Sequence, residues 1–303
     1  MTAFLERVAS APISWGICEV PGWGKMLPTD RVLGEMSDLG IRATELGAPG
    51  FLPADAAGIR ATLDRFDMRM LGGFTPLVLH RESERDQALA EARRVAELFA
   101  ATGARNFVTA VITDADWSNP EPLSSAEFAH LREMLSIVDE ICEENGLQQV
   151  LHPHVQTVVE TRDDINRMLD ETSVRWCYDT GHVALSGFDP LDFARQAAGR
   201  IGHVHLKDVD LSMTARVLSR EISLMEATQA GLFTNLGDGD VPIAEIVLEL
   251  ERSGYDGWYV IEQDTALTGE LPGIGAGPVS DVANSLEFLR AIDTSALARP
   301  GNG

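Results

Sequence analysis

Residues 174–208, VRWCYDTGHVALSGFDPLDFARQAAGRIGHVHLKD, carry the pattern on which the fold is decided. The apolar run VRWCYD at 174–179 is followed by a helical pattern over 189–198 and a second apolar run, IGHVHL, at 201–206. Short apolar runs of this kind are the signature of strands buried on both faces, and parallel strands need a crossover helix between them. Working outward, six more runs read as strands, at 8–15, 41–47, 69–75, 106–112, 148–154 and 257–263. Helical periodicity occupies 30–39, 55–66, 84–102, 124–144, 161–170, 242–252 and 279–291. In 84–102, for example, Ala88, Ala92, Val95, Ala96 and Phe99 recur at three- and four-residue steps. Ser124-Ser125, with Glu127 behind, offers an N-cap to 124–144. Gly40, Gly103, Gly146 and Gly254 stand where glycines just past helix ends belong.

Eight strands alternating with eight helices predict an α/β protein, a single-domain (β/α)8 TIM barrel over 1–292. The tail 293–303, DTSALARPGNG, is expected to fray. Loop insertions are expected after strand one, at 16–30, and after strand seven, at 207–240, with a helical turn from Ser219 to Ala230. A doubly wound sheet is the competing architecture. It is disfavoured because no GxGxxG follows the first strand and no phosphate loop occurs.

The 303 residues include 47 acidic and 24 basic side chains, for a net charge of −23, with 45% hydrophobic residues. Composition of this kind is that of a globular chain, and the charge argues against nucleic acid, whose phosphates select clustered Lys and Arg. No apolar run approaches the roughly 18 residues of a membrane span, and the start MTAFLERVASAPISW has no signal-peptide core. A cytoplasmic protein with neither a nucleic-acid nor a membrane partner is expected. Cys18, Cys142 and Cys177 are scattered without a CxxC, so neither a disulfide framework nor a thiolate zinc site is expected.

In a (β/α)8 barrel, chemistry collects at the C-terminal ends of the strands. Strand two ends in Glu45, strand five in His152 and His154, and strand six in Asp179 followed by His182. Strand seven ends in His203, His205, Lys207 and Asp208, and strand eight in Glu262. Five of the seven histidines fall between 152 and 205. Imidazole and carboxylate converging on one mouth are the donors of a divalent metal such as Mn2+, Co2+ or Zn2+. Bland roles compete at each position. His152 and His154 share a strand face and either can be structural, Asp179 can simply cap a turn in DTGH, and one of His203 and His205 can be a packing group. Glu262 would be costly to bury unpaired. His80 and His130 read as incidental.

The stretches APISWGICEVPGWG (11–24), ATELGAPGFLP (43–53), HPHVQTVVET (152–161), CYDTGH (177–182), HVHLKDV (203–209), GLFTNLGDGDV (231–241) and GYDGWYVIEQD (254–264) resemble the inosose dehydratase group. That group belongs to the sugar-phosphate isomerase/epimerase superfamily of xylose-isomerase-like barrels, and the resemblance runs from about residue 8 to 265. It implies one divalent metal ion, Mn2+ or Co2+ first and Zn2+ or Mg2+ as alternatives, held by His152, Asp179, His205 and Glu262. His152 stands where relatives more often have glutamate, which leaves His152 or His154 as the strand-five ligand; His152 is preferred, with His154 then turned toward substrate. His182 matches a substrate-touching position, Lys207 and Arg216 match basic groups of the segment after strand seven, and Glu45 matches a pocket glutamate.

The implied activity is metal-dependent dehydration of a cyclic polyol ketone, 2-keto-myo-inositol (inosose), through an enediolate, in inositol-type carbohydrate catabolism. His182, Lys207, His154 and Glu45 are the catalytic candidates, and Lys207 suits a base if burial or a nearby cation lowers its pKa. Trp15 and Trp23 are candidates to face the substrate, with core packing as their competing role. A ketose isomerase or epimerase shares the first step and is the alternative. An endonuclease IV-like nuclease is distant, because it needs a multi-zinc cluster and a basic surface. A homo-oligomer is allowed, since relatives are often dimers or tetramers.

Overall fold

Nine parallel strand segments close into a ring in the computed structural model, which describes residues 3–292. The expected frayed tail, 293–303, lies outside the described residues. Val8–Ser10 pairs with Ala43–Thr44 on one side and Tyr259–Ile261 on the other. The ring continues through Ile201–Leu206, Trp176–Asp179, Gln148–Leu151, Asn106–Val111 and Gly72–Leu77. Arg69–Met70 pairs with Ala43–Thr44. Leu71 joins it to Gly72–Leu77, donating its N–H to Thr44 O and accepting from Asn106 N–H. Those two segments are therefore one barrel strand, and eight strands close the barrel.

The expected helices form within a few residues of their sequence ranges, as Thr29–Asp38, Ala56–Asp64, Arg85–Thr102, Ser125–Glu144, Arg162–Glu171, Pro190–Gln196, Ile243–Ser253 and Pro278–Ala291. Ser124 and Glu127 form a full capping box, and the four glycines expected past helix ends all have positive φ. Most of the core lies between strands and helices, where Phe99, Phe107, Leu131, Trp176, Phe193 and Val204 are buried. The barrel interior is filled by small side chains, among them Ala9, Ala43, Val260, Val108, Val150 and Cys177. Cys142 and Cys177 are buried and free. Among the described residues, no helix is long and apolar enough to cross a membrane.

Three local differences bear on the site. Strand one stops at Ser10, because Pro12 has no N–H to give the ladder and opens a 3-10 turn, Pro12–Trp15. A short helix, Thr180–Leu185, starts directly after strand six, where the sequence suggested only a turn. The insertion after strand seven holds two helices, Thr214–Leu218 and Leu224–Gln229, instead of one turn over 219–230, and a small antiparallel pair, Asp208–Val209 with Phe233–Thr234. Strand seven also slips register against strand six, since Trp176 faces Ile201 but Cys177 faces His203. The extra residue is Gly202, where a Cβ would lie 2.8 Å from Val150 Cγ1 and 2.9 Å from Gln148 Oε1. Beyond this bulge His205 pairs with Asp179.

Candidate active site

Strand geometry gathers the histidines and carboxylates. His152 Nε2 lies 3.2 Å from His205 Nδ1 and 3.5 Å from Asp179 Oδ2. His205 Nδ1 is 2.9 Å from Glu262 Oε2 and 3.7 Å from Asp179 Oδ2. One donor atom from each of His152, Asp179, His205 and Glu262 falls within 4.8 Å of the others. Asp179 serves two elements at once. Its Oδ1 accepts the His182 N–H at 2.8 Å and caps the helix Thr180–Leu185, while Oδ2 is buried without a well-aligned hydrogen-bond donor. The cap and the cluster are thus joint roles of one carboxylate. His154 contributes no atom to the four-residue set.

The donor chemistry fits a divalent cation. Two imidazole nitrogens and two carboxylate oxygens converge in a buried space, a mixed nitrogen and oxygen donor set of the kind such ions take. Two other groupings fit less well. Cys177 with His152 and His205 would need a thiolate, and burial pushes the Cys177 thiol up to about 12. Glu45 with His203 and His205 is already a hydrogen-bonded unit, with both Nε2 atoms on the same carboxylate oxygen at 2.7 and 3.1 Å.

Lys207 stands beside this set. Its Nζ is 3.2 Å from Asp179 Oδ2, 3.0 Å from Glu262 Oε2, 3.0 Å from Asp264 Oδ1 and 3.3 Å from His182 Nε2. Burial alone would lower its pKa, but Asp179, Asp264 and Glu262 outweigh burial and hold it well above the usual value. The condition that would have made Lys207 a base is reversed, and it is a fixed ammonium. The same coupling acts on the carboxylates. Burial raises Asp179 and Glu262, yet Lys207 holds Asp179 well below its ordinary range, and His205 with Lys207 brings Glu262 down to about 2. Asp264 goes the other way, raised to about 6 by burial.

Two further imidazoles at the site, His154 and His182, are held toward the neutral form. Burial lowers His182 well below its ordinary value and brings His154 to about 3, with the neighbouring histidines and Lys207 adding to the effect. His154 Nδ1 donates to Val155 O at 2.6 Å, so its Nε2 is free to accept. The His154 and His182 rings lie 3.9 Å apart. Desolvation also opposes charge on His205, but the Glu262 and Glu45 carboxylates raise its pKa well above normal.

Glu45 is buried against His203 and His205, and no contact links it to Lys207, His182 or His154. Trp15 is fully buried in the main core and gives its indole N–H to Glu35, so it takes the packing role. Trp23 is buried with its N–H on Thr265 O, and Gln229 of the insertion binds the Gly22 and Trp23 carbonyls, so the two expected loops meet. Arg216 pairs with Glu221 and keeps 52% of its side chain exposed, apart from the cluster. His80 is buried with an unpartnered Nδ1, and His130 pairs with Glu82; neither joins the cluster.

Three residues at the site escaped the sequence reading. Asp264 lies two past Glu262, the spacing at which strand residues share a face. Phe74 stands edge-on to His152 at 5.7 Å, is 37% exposed, and stacks on Trp117 at 6.1 Å. Trp117 has φ +55, an unusual conformation for a bulky residue. Its loop is tied by Asp114, whose carboxylate accepts the Asp116 and Ser118 N–H groups.

A family model described as a xylose isomerase-like TIM barrel matches residues 33–292. An inosose dehydratase of Geobacillus kaustophilus is 31% identical over 275 residues, covering 86% of this chain and 89% of its own. The rhizopine catabolism protein MocC of Rhizobium meliloti is 31% identical over 270 residues, covering 85% and 81%. The probable 3-DHS dehydratase AsbF of Bacillus anthracis superposes with a TM-score of 0.69 at 14% identity, covering 95% of this chain and 100% of its own. A D-allulose 3-epimerase from Methylomonas sp. gives 0.67, also at 14% identity, covering 95% and 97%. At such identity the solved structures bear on the fold alone.

Proposed function

The chain belongs to the xylose isomerase-like TIM barrel family and is a relative of inosose dehydratases, and from that premise we propose that it dehydrates a cyclic polyol ketone such as 2-keto-myo-inositol, in inositol-type carbohydrate catabolism. The observation that carries this reading is the convergence of His152, Asp179, His205 and Glu262 beside a buried ammonium and two neutral imidazoles. A divalent cation in that donor set, Mn2+ or Co2+ first, would draw charge from the substrate's carbonyl and neighbouring hydroxyl oxygens, making the C–H beside the carbonyl acidic.

The chain's own groups do the rest. His154, whose Nε2 is left free by the Nδ1 bond to Val155 O, is the group assigned to take the proton from carbon, and the substrate becomes an enediolate. Lys207, held by Asp264 and Glu262, stabilises the negative charge that develops on oxygen. The proton passes back, through His154 or the adjacent His182, to the hydroxyl on the next carbon. That hydroxyl leaves as water, and the resulting enol tautomerises to a 1,2-dione. No external acid is needed, because the proton taken from carbon departs with the leaving group. Phe74 and Trp117, stacked on each other beside His152, would offer an apolar face to the C–H side of the ring. Phe233, its ring 5.1 Å from Lys207 Nζ, would shield the ammonium from water.

Incubating Mn2+- or Co2+-loaded protein with 2-keto-myo-inositol should produce the ultraviolet absorbance of an enolised dione. Epimers formed from ketohexoses, with no dione, would replace this reading by the isomerase or epimerase alternative, which shares the enediolate.

A further inference from the structure

Glu45 is buried, acceptor-only, and used twice by one oxygen, on His203 Nε2 at 2.7 Å and His205 Nε2 at 3.1 Å. The protons in this unit can be traced from the barrel floor. Gln148 Nε2 donates to Asn106 Oδ1 at 2.7 Å and to Gly202 O at 3.0 Å, which turns the Asn106 amide nitrogen toward His203. That nitrogen lies 3.1 Å from His203 Nδ1 and must donate to it, so His203 carries its proton on Nε2 and gives it to Glu45. A carboxylate that accepts from both rings obliges His205 to donate from Nε2 as well. Its Nδ1 is then the nitrogen facing His152 Nε2, Asp179 Oδ2 and Glu262 Oε2.

From this chain of bonds we infer that Glu45, held by His203, Asn106 and Gln148, is a positioning residue that fixes the ring orientation and tautomer of His205, and with them the nitrogen offered to the cation. The inference rests on the metal reading above, and it takes Glu45 out of the acid/base chemistry. Carboxylates behind a ligating imidazole raise its basicity, and removing them typically weakens metal binding about 10- to 100-fold. Glu45 differs from a lone partner of that kind in being oriented by a directional relay of three further side chains. A passive buried charge would need no such direction.

The test is Co2+ titration followed by visible absorption, on wild type and Glu45→Gln. The variant should bind Co2+ roughly 10- to 100-fold more weakly with shifted bands, while its metal-free form unfolds cooperatively. Unchanged affinity and bands in the variant would overturn the positioning role alone. A wild-type protein that takes up no Co2+ would instead overturn the metal reading. A second measurement needs no variant. In Zn2+-loaded wild type, histidine-ring nitrogen NMR should find the His205 proton on Nε2, and a proton on Nδ1 would overturn the inference.

Discussion

Gly181, inside DTGH, shows how closely Lys207 is held. A Cβ there would sit 2.7 Å from Lys207 Cγ and 3.0 Å from Cβ and Cδ. The Lys207 stem cannot easily retreat, because its backbone N–H and C=O both bond the Thr180 hydroxyl, at 2.9 and 2.7 Å. Gly→Ala in a helix ordinarily gains about 0.5–1 kcal/mol of backbone entropy, whereas overpacking costs about 1–3 kcal/mol. The steric effect wins, so Gly181→Ala should lose about 1 kcal/mol in urea unfolding and, by displacing the ammonium, more than about tenfold in kcat. Wild-type kcat in a folded variant would show that Lys207 has no precise place to keep.

At the scale of elements, Asp208 organises the insertion after strand seven. Its carboxylate accepts the N–H groups of Val209, Gly237, Gly239 and Val241, at 2.8–3.1 Å, and so folds LGDGD back beneath Phe233–Thr234. Asp208→Ala strands these amides and should cost about 2–4 kcal/mol in chemical denaturation, with metal uptake retained. A loss within ±0.5 kcal/mol would mean that the turn holds itself. Such elements also mark what the sequence could convey. The strand ends were legible because apolar runs stopping at His152, Asp179, His205 and Glu262 combine burial with charge, which is costly unless the charged groups have partners. The helix Thr180–Leu185 was hidden because six residues are too few for a period to emerge. Trp117 was hidden because nothing in DADWSNP announces its positive φ. Trp15 turned into the core because Pro12 ended its strand early.

For the molecule as a whole, eight parallel strands bring residues as distant in sequence as Glu45 and His205 to within 3.1 Å of each other. The interior carries small residues lower down and the polar cluster where the strands end. A negative chain with a net charge of −23 thereby concentrates its scarce histidines, and one of its few lysines, on a single spot. One divalent ion is expected at that spot, and metal content is the readout. Protein dialysed against Mn2+ or Co2+ and then freed of excess should retain one ion per chain by elemental mass spectrometry, and Asp179→Ala combined with Glu262→Ala should retain almost none. Substoichiometric metal in the wild type, or the same content in both proteins, would contradict it.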